Sequence, residues 1–306
     1  MPDESVDMVI TSPPYWALRD YGVEGQLGLE KAFEEYIKKL CDIFSEVKRV
    51  LKQEGTCWVN MGDTYGGSGM GTWNTEETSG KQVYQIPFGQ NKSSKLRGTK
   101  YDKCLLQIPS RFAIEMCNRG WILRNEIIWH KPNAMPQSVK DRFTADYEKV
   151  FFFVKSKKYY FEPQYEPYSE ATIKDKRIIR IQAGIKLKHT RHKNYKTAGV
   201  QDPSNVRDRG YATIDLERGR NMRSVWRIPT KAFKEAHFAV YPEDLIETPI
   251  KAGSPPGGIV LDPFFGSGTT AIVALRLGRQ YLGVELNPEY ISIANKRIAA
   301  LQKPLF

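Results

Sequence analysis

Two short runs of this chain hold residue types that could do chemistry. One is Thr11-Ser12-Pro13-Pro14-Tyr15-Trp16. The other is Asp262-Pro263-Phe264-Phe265-Gly266-Ser267-Gly268-Thr269-Thr270. The first suits the exocyclic amine of a nucleobase. Such an amine is a poor nucleophile, because its lone pair is conjugated into the ring. Acceptors aimed at its two N–H bonds favour a tetrahedral nitrogen whose lone pair faces an electrophile. Ser12 Oγ and the Pro13 carbonyl are acceptors of that kind. Pro13 and Pro14 fix φ at about −65° and stiffen the turn, which preorganises the site. Tyr15 can stack on the base and Trp16 can extend the wall. A base inside a duplex must be flipped out to reach such a cradle. No covalent intermediate is needed, since positioning supplies most of the catalysis. By itself, Ser-Pro-Pro-Tyr could also be only a tight turn.

The second run suits a nucleoside cofactor. It lies between a predicted strand over 259–262 and a predicted helix reaching about 277. Its glycines let backbone approach a ligand closely. In open α/β sheets, ligands lie beyond the carboxyl ends of the strands, where this loop falls. No Gly-Lys-Ser/Thr follows, so it is not a phosphate-binding P-loop, and it is not Gly-x-Gly-x-x-Gly either. Glu285 ends the next predicted strand, 23 residues after Asp262. A carboxylate there can accept two hydrogen bonds from ribose hydroxyls. Asn287-Pro288-Glu289 then starts a helix, with Asn as N-cap. A lone Gly-Ser-Gly turn is more often structural. The joint order of strand, loop, helix, strand and Glu is far more specific.

Together, these motifs resemble the DNA amino-methyltransferases, which move a methyl group from S-adenosylmethionine to an amine of a DNA base. With the cofactor motif following the catalytic one, the chain resembles the permuted, beta-class arrangement. Ser12 is similar to the cytosine-N4 branch; adenine-N6 members usually carry Asp or Asn there. The resemblance covers most of the chain and is weakest between about 160 and 222. It implies an α/β fold: a doubly wound, mostly parallel, Rossmann-like sheet in permuted order, with an inserted target-recognition region. It implies catalytic roles for Ser12, Pro13, Pro14 and Tyr15. It implies cofactor contacts from Asp262, Phe264, Gly266, Ser267, Gly268, Thr269, Glu285 and Asn287. His237 joins them, in a segment (237–243) that resembles the one contacting the methionine end. Residues 127–133 resemble a strand-end motif beside the target base, which brings in Lys131. Asp63 and Trp16 are further base-pocket candidates. Double-stranded DNA is the implied partner, with a homodimer and a cognate restriction endonuclease as further candidates, in a prokaryotic or viral host cell. An adenine-N6 enzyme and a poorly active DNA-binding relative are the alternatives. Relatives usually carry a strand and a Gly-Asp loop ahead of the segment matching Pro2–Asp7. This chain starts at Met1, so the sheet is expected to lack an edge strand or the chain to start internally, with a consequence for cofactor affinity.

The elements that must position these residues are legible from pattern. Strands are predicted over 6–11, 56–60, 122–130, 148–154, 259–262 and 281–285, and helices over 31–52, 109–119 and 241–252. Strands alternating with helices imply a mostly parallel sheet covered on both faces. Residues 1–160 and 223–306 form the expected catalytic domain, 161–222 the target-recognition region, and 62–100 a mobile loop. No apolar run approaches the roughly 20 residues of a membrane helix, and the acidic, polar start is no secretory signal, so the cytoplasm is expected. Of a formal charge of +11, nearly all sits in 155–227, where 18 Lys and Arg face 8 Asp and Glu for a net of +10. Such a localised patch fits a polyanion. Arg191, Arg207, Arg209 and Arg220 are the candidate DNA contacts. The four cysteines form no Cys-x-x-Cys pair and none follows a proline. That argues against a metal site and a disulfide framework. Cytosine-C5 methylation needs a cysteine nucleophile, which resembling enzymes place in a Pro-Cys pair, so the resemblance argues against that chemistry too.

Overall fold

β1 (Val6–Thr11) is buried at every residue but Asp7, as a strand flanked on both sides and covered on both faces must be. In the computed structural model it pairs in parallel with β2 (Leu51–Met61) and with β8 (Ile259–Asp262). The structure describes residues 1–18, 20–67, 96–176, 178–179, 215–231 and 241–301. The chain divides into two compact units, Met1–Glu162 with Ser224–Phe306, and Pro163–Arg223.

The first unit is built on a seven-stranded sheet. Its other strands are β3 (Ile122–His130), β4 (Tyr147–Val154), β7 (Val225–Arg227) and β9 (Gln280–Gly283). The spatial order is β7-β3-β4-β2-β1-β8-β9. Only β4 runs against its neighbours, so the sheet is mostly parallel. Its helices are α1 (Phe33–Val50), α2 (Ile108–Asn118), α4 (Glu243–Gly253), α5 (Thr269–Arg276) and α6 (Pro288–Leu301). The strand period of two divides β2 between two layers. Cys57, Val59 and Met61 join the core with α1 and α2, where Phe44 meets Phe112 edge-on at 5.2 Å. On the other face Trp58 stacks on Phe152 at 4.1 Å, and Gly253 of α4 lies against the Trp58 indole. The second unit pairs β5 (Tyr165–Glu166) with β6 (Arg220–Asn221) and carries the short α3 (Glu170–Ile173).

Two boundaries near the motifs differ most from expectation. β2 begins at Leu51, because Leu51 pairs with Val6 across a register shift. The expected helix end at Gly55 is therefore strand, and the Leu51 side chain packs where a Gly55 Cβ would sit. β9 ends at Gly283, so Glu285 lies beyond the strand. The 62–100 segment falls mostly outside the described residues. Its described ends are tied together by a bridge between Tyr65 and Leu105 and by Gly66 N–H donating to Cys104 O at 2.9 Å.

Candidate active site

At the carboxyl ends of β1 and β8 the chain leaves the sheet on both sides of one cavity of about 670 Å³. A switch in direction between parallel neighbours leaves such a crevice. Ser12, Pro13, Pro14 and Tyr15 line it from β1. Phe264, Gly266, Ser267, Thr269, Glu285 and Asn287 line it from the loops after β8 and β9. The two motifs, some 250 residues apart in sequence, thus share one space.

One buried carboxylate ties them together. Asp262 Oδ1 accepts from Thr11 Oγ1 at 2.5 Å and from Phe264 N–H at 3.0 Å. Its Oδ2 accepts from Thr270 Oγ1 at 2.6 Å and Tyr241 Oη at 3.0 Å. Asp262 is 1% exposed and spends its acceptor capacity on these four donors. Burial raises its pKa, against the opposing effect of the hydrogen bonds. Through these bonds it ties the end of β1 to the loop after β8. The Tyr241 phenol is likewise pushed up by burial and then by Asp262, so it stays a donor.

The glycines divide the work differently from expectation. Gly266 has φ 51°, and a Cβ there would meet nothing within 4 Å. Its bare backbone faces free space, and its N–H donates to Glu285 Oε2 at 2.7 Å. Gly268 has φ 80° and heads α5; a Cβ there would come within 2.8 Å of Ala294 Cβ in α6. Helix packing and the left-handed φ both demand glycine there. Glu285 Oε1 also accepts from Asn287 N–H at 2.9 Å, which leaves outer lone pairs for ribose hydroxyls. Asn287 caps α6 through Glu289 N–H at 2.9 Å. Arg297, with no signal in the motif, grips the loop at Ser267 O (2.7 Å) and Thr269 Oγ1 (3.1 Å). Open backbone at Gly266, the Phe264 ring and the Glu285 carboxylate fit a nucleoside with a ribose.

Across the cavity, Tyr36 of α1 donates to the Pro14 carbonyl at 2.8 Å and fixes the turn. The Pro13 carbonyl takes no hydrogen bond among the described residues. The Tyr15 ring lies against Gly62, and its hydroxyl donates to Glu148 Oε2 at 2.7 Å. Burial first and the Glu148 charge second raise the Tyr15 pKa well above its ordinary value. Asn60 Nδ2 donates to the same oxygen at 3.1 Å, and Lys131 pairs with Glu148 Oε1. Lys131 lines the cavity; Tyr241 falls in the 237–243 segment, while Asn60 and Glu148 carried no signal of their own.

Two base-pocket candidates belong elsewhere. Trp16 is 1% exposed, donates Nε1–H to Glu30 O at 3.1 Å and packs edge-on to Phe33, so it is core. Asp63 accepts from Thr64 N–H at 2.9 Å and Ile108 N–H at 3.1 Å, holding the start of α2. In the second unit Arg220 pairs with Glu166 at 2.8 Å. His237, Arg191, Arg207 and Arg209 lie outside the described residues.

Comparison with known proteins agrees with this geometry. A family model described as DNA methylase matches residues 6–296. The chain is 40% identical over 305 residues to the Type II methyltransferase M.Cfr9I of Citrobacter freundii, covering 97% of this chain and 83% of that protein. It is 39% identical over 298 residues to M.SmaI of Serratia marcescens, covering 96% and 85%. Among solved structures it is similar to the PvuII cytosine-N4-specific DNA methyltransferase, with TM-score 0.55 and 21% identity over 98% of this chain and 85% of that one. A DNA modification methylase of Thermus thermophilus, complexed with S-adenosylmethionine, gives TM-score 0.54 and 24% identity over 100% and 90%. The matched family model spans both walls of the cavity, and the chain belongs to the DNA methylase family that acts on base amines at N4 or N6.

Proposed function

We propose that this DNA methyltransferase acts on the N4 amine of a flipped-out cytosine within a specific DNA site. The observation that carries the reading is the shared cavity, with Ser12 on one wall and Gly266 and Glu285 on the other. S-adenosylmethionine is the cofactor and supplies an activated methyl group. Gly266 and Glu285 would hold its nucleoside, with Phe264 against the ring. Ser12 Oγ and the Pro13 carbonyl would draw the amine N–H bonds out of the ring plane, leaving the lone pair pointed across the cavity.

Ser12, a neutral hydroxyl where N6 enzymes usually place Asp or Asn, favours cytosine. A relative of like fold is itself named cytosine-N4-specific. The basic 163–223 unit is the part of this reading that meets DNA and selects the site. The Type II relatives support membership of a restriction–modification system with a cognate endonuclease. The test is base-resolved mapping of DNA from cells expressing the chain. N4-methylcytosine at one recurrent site is expected; N6-methyladenine would move the enzyme to the other branch.

A further inference from the structure

We propose that Glu148 is the proton acceptor of the methyl transfer, reached from the amine through Ser12 and the Tyr15 hydroxyl. The inference rests on the base-pocket reading above. Glu148 stands near the start of β4, ahead of the apolar run Val150–Val154 that the sheet buries. Its side chain is only 15% exposed and that of Lys131 19%. Burying such a pair is seldom a gain in stability over apolar packing. A half-buried carboxylate on a cavity wall, beside groups assigned to the reaction, therefore marks a functional candidate.

The geometry gives it a route. Ser12 Oγ lies 3.4 Å from Tyr15 Oη, and Tyr15 Oη lies 2.7 Å from Glu148 Oε2. The first contact is long; such contacts often tighten only when the reactants are bound. Asn60 and Lys131 hold the carboxylate on Tyr15 from two further sides. Ser12, Tyr15, Asn60, Lys131 and Glu148 all line the cavity.

The chemistry needs an acceptor. The amine lone pair forms the new N–C bond while the S–C bond breaks, its electron pair staying on sulfur. The nitrogen then carries one proton too many. Ser12 takes that proton and passes its own to Tyr15, which passes its own to Glu148. Both hydroxyls end as they began, and Glu148 ends as the neutral acid, which later gives the proton to water. Tyr15, held protonated by burial and by the neighbouring charge, is a conduit and not the store. Within this cluster only Glu148 can keep the proton.

The test uses the full chain and its preferred DNA. Glu148→Gln keeps the size of the side chain but removes the basic oxygen. Its single-turnover rate should fall by about 10²-fold or more. Its affinities for S-adenosylmethionine and for DNA, measured by calorimetry and anisotropy, should stay within a few-fold of wild type. Glu148→Ala should be slow too, and added formate should restore part of its rate in proportion to concentration. A Glu148→Gln enzyme at wild-type rate overturns the proposal. So does a slow variant that has lost cofactor affinity, or a Glu148→Ala enzyme that formate does not help, since each reads as lost position alone. Wild-type methylation of adenine, with the same variant behaviour, would remove the cytosine assignment and keep the proton acceptor. A wild-type chain that methylates no base would overturn both.

Discussion

Ser12 and Asp262 show how neighbouring residues can serve different purposes. Ser12 keeps its hydroxyl in the cavity, while Thr11, one residue earlier, spends its hydroxyl on Asp262. The hydroxyl proposed to meet the base is therefore distinct from the one that fixes the strand end. Ser12→Ala should lower the single-turnover rate by about 10²-fold, the usual effect of removing one preorganised polar contact. Calorimetric affinity for S-adenosylmethionine should be unchanged, because the Ser12 hydroxyl bonds Tyr15 on the base side of the proposed site. A rate near wild type would remove Ser12 from the reaction. The thiols give a simpler check on burial. Cys41 and Cys57 are buried, and burial pushes Cys41 up to about 12. Cys104 and Cys117 are exposed. Since the thiolate is the reactive form, iodoacetamide at neutral pH should label Cys104 and Cys117 in the native protein and all four after denaturation. Mass spectrometry reads the sites, and native labelling of Cys57 would contradict the placement of β2.

At the scale of the element, the loop between β8 and α5 sets two glycines to different tasks. Gly266→Ala adds a methyl at φ 51° that points into the cavity. It should weaken S-adenosylmethionine binding by calorimetry, with a backbone penalty of about 1–2 kcal/mol. Gly268→Ala drives a Cβ against Ala294 and should act first on stability, lowering the melting temperature through overpacking of about 1–3 kcal/mol. Equal loss of affinity in both variants, with no loss of stability, would merge the two roles. The sequence could place this loop because apolar strands and turn residues announce themselves locally. It could not divide the glycines, since that depends on Ala294 in another helix. The same limit explains Trp16 and Asp63. Trp16 ends a motif and Asp63 follows a predicted strand, yet their roles are set by Glu30 and by the start of α2, contacts that no local pattern encodes. Glu148 escaped notice for the converse reason: alone at a strand start it is ordinary, and only the fold brings Tyr15, Asn60 and Lys131 to it.

Over the whole molecule, charge and catalysis are assigned to different stretches of chain. The net of +10 over residues 155–227 falls largely on the 163–223 unit, whereas both walls of the cavity belong to the other unit. DNA held through phosphates releases counterions, so affinity should fall steeply with salt, and each lost phosphate contact should reduce the slope of log affinity against log salt by about one. Arg191→Gln, Arg207→Gln and Arg209→Gln, taken singly, are the variants that should show this, or should relax site preference where the arginine reads a base edge. Arg220 should behave differently. Its guanidinium is committed to Glu166, which also pairs with Arg223, and β6 carries it beside β5. Arg220→Gln should therefore leave the salt slope unchanged and loosen the β5–β6 pair, seen as faster amide exchange at Tyr165 and Asn221. Fluorescence anisotropy with a labelled duplex over a potassium chloride series measures the slope. A slope of zero in the wild-type chain would mean that the basic stretch does not hold DNA. A slope lowered by Arg220→Gln as much as by the other three would mean that the Glu166 pair opens when DNA arrives.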